Sequence, residues 1–134
     1  MLFGDEHVRR YEETDGEVGH AWEGGAPTLV LTTTGRRTGE PRKFALIYQK
    51  VGGSYVIVAS KGGADQHPGW YLNLRADPDV GVQVGAERFT ARARTAPAGE
   101  RAELWPTMVA VWPSYDEYQQ ATGREIPVVV LEPR

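Results

Sequence analysis

The residues best suited to binding an anion lie together in one short stretch. Residues 34–43 read TGRRTGEPRK and carry four cations, Arg36, Arg37, Arg42 and Lys43, against one carboxylate. Guanidinium groups bind phosphate or carboxylate oxygens in pairs, and a turn between two strands displays them at a rim. The stretch is therefore a candidate anion site, although a solvated charged hairpin has the same composition.

A second candidate site follows the apolar, β-branched run Tyr55–Ala59, which predicts a buried strand. Four residues suited to ligand contact come next: Ser60, Lys61, Gly62 and Gly63. Glycines let backbone N–H groups approach a bound group closely, and the lysine adds a point charge that attracts an anion. This loop is the second place where the sequence favours a charged ligand.

A short helix is predicted directly after this loop, over Pro68–Arg75, because proline is favoured in the first turn of a helix. The helix carries Trp70, Tyr71 and Asn73. The two aromatic rings provide flat amphipathic surface beside the loop. In the alternative interpretation these rings only cap the core.

A third group of candidate residues is aromatic. Trp112, Tyr115 and Tyr118 are spaced three apart, so they share one face of a helix. Such a stripe belongs to the core more often than to a substrate site. Here Asp116 and Glu117 lie between the tyrosines, which also suits the mouth of a pocket.

Several other kinds of site have no support in the sequence. There is no cysteine, and the three histidines, His7, His20 and His67, lack the close spacing of metal ligands. The Rossmann Gly-x-Gly-x-x-Gly turn, the P-loop and the Gly-x-Ser-x-Gly elbow are all missing. A net charge of −3 gives no reason to expect nucleic acid as a partner. We therefore expect neither a metal nor a nucleic acid.

The elements that must position these residues are mostly strands. The β-branched and alternating stretches predict six of them: Thr28–Thr34, Arg42–Val51, Tyr55–Ala59, Val80–Val84, Arg88–Thr95 and Ile126–Leu131. Most are joined by hairpins, which favours a small antiparallel barrel over a βαβ sheet. The expected fold class is mainly β with peripheral helices (α+β).

Further helices are predicted on both sides of the β region. A charged helix over residues 4–15 has Val8 and Tyr11 on one face, and a short helix covers Tyr115–Ala121. Another helix starts at Pro97, with Leu104, Met108 and Val111 or Trp112 on one face; Pro106 and Pro113 are expected to bend or end it. Trp22, in the glycine-rich loop 16–27, is expected to seal the core rather than cover a pocket.

The bulk composition is that of an ordinary globular protein. The 134 residues, 40% of them hydrophobic, are expected to form one domain over 1–134, with 1–26 as an N-terminal helix and loop. No apolar run approaches the ~20 residues of a membrane span. We expect a cytoplasmic protein in which the amphipathic N-terminus is the segment that could touch a membrane.

Four stretches together resemble the deazaflavin-dependent nitroreductase family of actinobacteria. They are LTTTGRRTGEPR (31–42), VASKGGA (58–64), HPGWYLNL (67–74) and YQQATGREIPV (118–128). The resemblance spans about residues 5 to 132 in the right order. It implies a split β-barrel of the flavin-reductase and FMN-binding type. It also implies hydride transfer from reduced coenzyme F-420, an 8-hydroxy-5-deazaflavin, to quinones such as menaquinone and, in some members, to nitroimidazoles.

The resemblance also implies roles for individual residues. By this likeness Arg36, Arg37 and Arg42 bind the phosphate and oligoglutamate tail of the cofactor. The remaining cofactor-binding residues that it implies are Ser60, Lys61, Gly62, Gly63, Pro68, Trp70, Tyr71 and Asn73. On the substrate side it implies Trp112, Tyr115 and Tyr118, with tyrosine common in the family where this chain has Trp112.

The implied chemistry requires few protein acids. The protein positions the deazaflavin and shields its ring, and a reduced quinone also takes up a proton. Ser60, Tyr118 or water could supply that proton, and Tyr115 is counted with Ser60 and Tyr118 among the catalytic candidates. Two alternatives stay open at this point: an FMN- or haem-binding protein of the same barrel class, and a non-catalytic F-420 carrier.

Overall fold

A computed structural model describes residues 2–134 of the chain. Seven strands are present: β1 (Thr28–Thr34), β2 (Pro41–Ile47), β3 (Gln49–Val51), β4 (Ser54–Val58), β5 (Asp79–Val84), β6 (Glu87–Thr95) and β7 (Val128–Pro133). Four helices accompany them: α1 (Gly4–Glu13), α2 (Gly69–Ala76), α3 (Ala98–Val111) and α4 (Ser114–Ala121). The mainly β fold with peripheral helices is confirmed.

The strands form one antiparallel sheet in the order β2-β1-β5-β6-β7-β4-β3. The two outermost strands, β2 and β3, are consecutive in sequence and separated only by Tyr48. A sheet whose two edges are joined by one residue must curl until those edges meet. The sheet is therefore a half-closed barrel, as the hairpin pattern predicted.

The prediction of one continuous strand over Arg42–Val51 is wrong. Two strands, β2 and β3, cover this stretch, and Tyr48 separates them. At this corner the Tyr48 N–H donates to the Pro27 carbonyl at 3.1 Å, which extends the pairing of β1 with β2 by one residue. Its ring turns into the core against Tyr55, and its hydroxyl lies 3.0 Å from His20 Nε2. The residues before the break pair with β1 and those after it with β4, so Tyr48 marks the corner of the barrel.

Strands β4 and β7 contain unbroken apolar runs because both faces of each strand are covered. Tyr55 and Ile57 of β4 point into the barrel with Leu29 and Leu131, whereas Val56 and Val58 pack against the helices that cover the sheet. Side chains alternate between the two faces of a strand, so a strand covered on both sides reads as an unbroken apolar run. Strand β7 is buried on both faces in the same way.

The predicted buried faces of the helices agree with the structure more closely than the predicted ends do. Helix α1 buries Val8 and Tyr11 as predicted but ends at Glu13. Helix α3 buries Leu104 and Met108 as predicted. It continues through Pro106, which does not end it, and α4 begins after Pro113. Among residues 2–134 no helix has the length and apolar character needed to cross a membrane.

Candidate active site

The loop that the sequence singled out, residues 60–63, has a left-handed backbone at its last three residues. It is called the glycine loop below. Lys61, Gly62 and Gly63 have φ values of 47°, 62° and 85°. Side chains are rarely tolerated in this region, so the two glycines suit it and Lys61 holds a strained conformation.

The two glycines of the loop have different surroundings. A Cβ on Gly63 would lie 2.9 Å from both the Cα and the carbonyl oxygen of Tyr118, so the loop packs directly on the backbone of α4. A Cβ on Gly62 would meet no atom within 4 Å. Gly63 therefore joins the loop to α4, and Gly62 leaves open space in front of the loop.

Ser60 and Gly62 line a cavity of about 250 Å³, here called the aromatic cavity. Its other walls come from well-separated parts of the chain and include Phe3, His7, Trp22, Leu46, Trp112, Tyr115 and Tyr118. The structure therefore brings Ser60 together with all three predicted substrate-side residues. Such a largely apolar cleft with a few polar groups is typical of a small-molecule site.

Trp22 is a wall of this cavity. The prediction that it only seals the core is wrong: its side chain is half-buried, and its ring centroid lies 5.4 Å from that of Trp112. Its indole N–H donates to the Leu2 carbonyl at 3.0 Å. The loop 16–27 returns to the N-terminus and carries Trp22 across to Trp112, between α3 and α4, a path that local sequence patterns do not specify.

Tyr115 and Tyr118 differ in exposure although both line the cavity. Tyr115 is 4% exposed, and burial raises the pKa of its hydroxyl well above the usual range for a phenol, with a further contribution from neighbouring Tyr118. Tyr118 is half-buried, and its hydroxyl oxygen lies 3.4 Å from the Trp112 indole nitrogen. An indole N–H only donates, so the Tyr118 oxygen accepts and its own proton stays free to be donated.

His7 is a polar cavity residue that the sequence reasoning considered only as a metal ligand. The side chain is 4% exposed, and its Nε2 donates to the Gly19 carbonyl at 2.8 Å. Nδ1 has no hydrogen-bond partner within residues 2–134. The spacing of Val8 and Tyr11 predicted the buried face of α1 but gave no role to His7, and the cavity beside His7 arises only when Trp22 and Trp112 are in place.

The arginine turn, residues 34–43, connects β1 to β2. The Asn73 side-chain oxygen accepts from the Arg36 backbone N–H at 3.2 Å and from Arg36 Nη1 at 2.8 Å. The Asn73 amide in turn donates to Thr33 Oγ1 at 3.2 Å. Asn73 is buried, and its side chain is engaged in holding the arginine turn against α2.

A second cavity, of about 220 Å³, lies at this turn and is lined by Gly35, Arg36, Arg37, Thr38, Arg42 and Asn73. Within residues 2–134 no carboxylate lies within 4.0 Å of the side-chain nitrogens of Arg36, Arg37, Arg42 or Lys61. Lys43 of the same turn differs, because it contacts Glu12 at 2.5 Å. The exposed guanidinium groups therefore remain available to an anion.

Three predicted cofactor residues of α2 lie in the interior instead. Pro68 is buried at the start of the helix, and Trp70 and Tyr71 are each 5% exposed in the barrel core. The Tyr71 hydroxyl lies 2.8 Å from Thr95 Oγ1. Their observed contacts fix α2 on the barrel, and direct contact with a cofactor stays a prediction.

The model of the F-420H(2)-dependent quinone reductase family matches residues 4–133 of the chain. The chain belongs to this family. The reductase is 44% identical over 131 residues to an F-420H(2)-dependent quinone reductase of Mycobacterium tuberculosis, an alignment covering 96% of this chain and 88% of that protein. The predicted family, its oxidoreductase class and its cofactor, coenzyme F-420, are thereby confirmed.

Solved structures agree with this assignment. The F-420-H2 dependent reductase FDR-A superposes with a TM-score of 0.74 at 41% identity, covering 79% of this chain and 94% of that chain. A candidate pyridoxamine 5′-phosphate oxidase from Listeria innocua superposes with a TM-score of 0.56 at 14% identity, covering 80% and 83%. This second likeness concerns the fold alone, which is a split barrel.

The residues of the reductase suit coenzyme F-420. An anionic tail needs cations that no internal carboxylate neutralises, and the arginine turn and Lys61 provide them. A planar ring needs close backbone approach, and Gly62 leaves that space open beside an aromatic wall. Of residues 2–134, no three His, Asp or Glu side chains form a group that could hold a metal ion.

Proposed function

We propose that the reductase binds reduced coenzyme F-420 on the glycine loop and the arginine turn, and reduces a quinone held in the aromatic cavity. The observation that carries this proposal is the shared wall: Ser60 and Gly62 belong both to the loop and to the cavity that contains Tyr118. A donor held on the loop would therefore face an acceptor held against the tyrosine. Menaquinone-like quinones suit the largely apolar lining of this cavity.

Four exposed cations are assigned to the anionic part of the cofactor: Arg36, Arg37, Arg42 and Lys61. A fork-shaped guanidinium binds carboxylate or phosphate in a bidentate manner, and the ammonium of Lys61 acts as a point charge. The lack of internal ion pairs supports this assignment, because a cation that is already paired gains less from a ligand. Asn73 is assigned to holding Arg36 in place, as its two hydrogen bonds with Arg36 indicate.

The bound deazaflavin supplies a hydride from C5 of its ring. The chain contributes orientation, exclusion of water and a proton: a quinone that gains one hydride and one proton becomes a hydroquinone. Tyr118 is our first choice for the group that donates to the acceptor oxygen, because Trp112 donates to its oxygen and leaves its proton free.

Ser60, water and His7 are the other groups considered for this proton. Ser60 and His7 both line the cavity. Tyr115 is assigned to the cavity wall instead of acid chemistry, because burial raises its pKa and makes its proton harder to release. Trp22 and Trp112 complete the wall that holds the acceptor.

Two further features extend this proposal. A nitroimidazole is a planar polar heterocycle that suits the same cavity, and its nitro oxygen could accept from Tyr118.

The mouth of the cavity includes Leu2 and Phe3, and Phe3 is 63% exposed. We assign this apolar end to contact with a membrane surface, from which a lipid quinone would enter.

The test begins with fluorescence titration of the purified protein with F-420, with FMN and FAD in parallel. F-420 binding at micromolar or lower concentration, with turnover of a menaquinone analogue by the reduced cofactor, is the expected result. Preference for FMN would contradict the cofactor assignment. Binding of the cofactor, without oxidation of its reduced form by any quinone or nitroimidazole, would favour the carrier function. A comparison of Phe3→Ser with wild type, with and without lipid vesicles, tests the membrane contact.

A further inference from the structure

The backbone of the glycine loop accepts hydrogen bonds from Arg124, a residue to which the sequence reasoning gave no role. We propose that Arg124 is a positioning residue that sets the conformation of the glycine loop before coenzyme F-420 binds. The inference rests on the proposed function, in which this loop holds the cofactor. Its physical basis, the hydrogen bonding of Arg124, is independent of any ligand.

The Arg124 guanidinium uses its N–H groups on the backbone around the loop. Nε donates to the Ala64 carbonyl at 2.7 Å, and Nη2 donates to the carbonyls of Ser60 at 2.8 Å and Ala59 at 3.3 Å. Nη1 donates to the Ala59 carbonyl at 3.3 Å and to His67 Nδ1 at 3.1 Å. These contacts account for the five N–H groups of an arginine. Arg124 therefore has no donor left to bind an anion itself.

The contacts of Arg124 bracket the strained part of the loop. Lys61, a residue with a side chain, holds a positive φ, and the loop's own hydrogen bonds are Gly63 N–H to the Ser60 carbonyl at 3.0 Å and Ala64 N–H to the Lys61 carbonyl at 3.2 Å. A strained backbone of this kind persists only when its surroundings determine it from outside. Arg124 supplies that constraint through the carbonyls of Ser60 and Ala64.

The segment that contains Arg124 also connects the glycine loop to the proposed acceptor side of the site. Thr122 Oγ1 donates to Asp65 Oδ1 at 2.7 Å, just beyond the loop. Thr122 and Arg124 directly follow α4, the helix of Tyr118, and Gly63 packs on the Tyr118 backbone. Arg124 therefore fixes the loop relative to the helix that would contact the acceptor, and not merely within itself.

The chain offers a matched control in Arg101. Its Nε donates to the Ile126 carbonyl at 2.9 Å and its Nη2 to Gln119 Oε1 at 2.8 Å. Arg101 thus braces the same segment around α4 without touching the glycine loop. Arg124→Gln and Arg124→Lys are the test variants, and Arg101→Gln reports what the loss of a structural arginine does by itself.

The first measurement is amide hydrogen exchange of the cofactor-free protein. In Arg124→Gln we expect the segment 60–64 to exchange at least ~10-fold faster than in wild type, since hydrogen bonds to a charged group are lost. In Arg124→Lys, where one ammonium replaces the guanidinium fork, the exchange rate should lie between those of wild type and Arg124→Gln. Arg101→Gln should leave the exchange of this segment at the wild-type rate even if it lowers the melting temperature.

The second measurement is F-420 binding and quinone turnover. We expect Arg124→Gln to raise the Kd for F-420 at least ~10-fold, with kcat at saturating cofactor within about 3-fold of wild type, because the cost is that of ordering the loop. The dependence of Kd on salt should stay at its wild-type slope, since Arg124 makes no contact with the anion. Arg101→Gln should change neither constant.

These outcomes separate the inference from the function on which it rests. Wild-type exchange at 60–64 in folded Arg124→Gln, or equal acceleration in Arg101→Gln, would overturn the positioning role whatever the cofactor affinity. A shallower salt dependence in Arg124→Gln would also overturn it, in favour of direct anion binding. If the wild-type protein failed to bind F-420, the proposed function would fall, and the exchange measurement would still decide whether Arg124 orders the loop.

Discussion

The arginine turn and the aromatic cavity are built in opposite ways. The arginine turn takes its cations from ten consecutive residues. Its side chains contact the rest of the fold where Arg36 donates to Asn73 and to the Gly69 carbonyl, and where Lys43 pairs with Glu12. The aromatic cavity assembles its walls from α1, the loop 16–27, β2, the glycine loop and α4. Charge is therefore concentrated locally at the proposed cofactor end, whereas the proposed acceptor end depends on tertiary packing.

The difference has a consequence for mutations. A substitution in the arginine turn should alter ligand affinity and leave the fold intact, because its side chains are exposed. A substitution in the cavity walls changes packing and function together. The glycine loop lies between the two regions, and changes there should affect both.

The largest effect is expected from Gly63→Ala, which would separate the loop from α4. The added methyl would sit 2.9 Å from the Tyr118 backbone, at a φ of 85° that side chains rarely adopt. Left-handed strain together with overpacking predicts a loss of about 2–4 kcal/mol in the free energy of unfolding. Urea denaturation measures this loss.

Gly62→Ala is the matched control for that change. Gly62 has a similar φ of 62°, but a methyl there meets no atom within 4 Å. Only the backbone strain should appear, about 1–2 kcal/mol. Equal losses in the two variants would mean that the contact between the loop and α4 contributes nothing.

The next largest effect concerns the acceptor end alone. Tyr118→Phe should lower turnover at least ~10-fold, the usual range for a lost proton donor, with the Kd for F-420 unchanged. Steady-state kinetics with a menaquinone analogue, combined with cofactor titration, tests this. Unchanged turnover would remove Tyr118 from the chemistry, and a loss in Tyr115→Phe as large as that in Tyr118→Phe would contradict the different roles given to the two tyrosines.

A smaller effect is expected at the cofactor end. Lys61→Ala should raise the Kd for F-420 by about 3- to 10-fold and make binding less sensitive to salt, because an exposed cation acts through a screened field. Lys43→Ala is the control, since Lys43 already pairs with Glu12. If Lys61→Ala kept the affinity and salt dependence of wild type, the assignment of a charged channel would fail.

The sequence was sufficient wherever the signal was local. The run Tyr55–Ala59, followed closely by a lysine and two glycines, predicted a strand and then a loop; the strand is present as β4, the loop has the positive φ values that suit glycine, and its binding of a ligand stays a prediction. Val8 and Tyr11 predicted the buried face of α1. In each case one stretch of chain holds both the pattern and its consequence.

The sequence was insufficient wherever distant segments meet. Tyr48 breaks a strand because the barrel turns a corner there, and the hairpin pattern does not mark that corner. Trp22 reaches the cavity because the loop 16–27 returns across α1. Arg124 lies in a stretch that resembles the family, yet its hydrogen bonds to residues about 60 positions earlier become visible only in three dimensions.

The smallest effect expected concerns His67, whose Nδ1 accepts from Arg124 beside the glycine loop. Burial lowers the pKa of the His67 imidazole, and the positive charges of Arg124 and Arg75 lower it further. The folded protein therefore binds this proton less readily than the unfolded chain does. The resulting stability is present above the ordinary histidine pKa of about 6.5 and is lost as the pH falls through the lower folded value.

We expect the melting temperature of wild type to fall between pH 7.5 and 5.5 slightly more than that of His67→Gln. Glutamine can still accept from Arg124 through its side-chain oxygen but does not titrate. The difference should be small, since His67 is only partly buried and solvent screens its contacts. Identical pH profiles would show that the His67 contact with Arg124 at 3.1 Å does not couple protonation to folding, and Arg124 would then hold the loop through its backbone contacts alone.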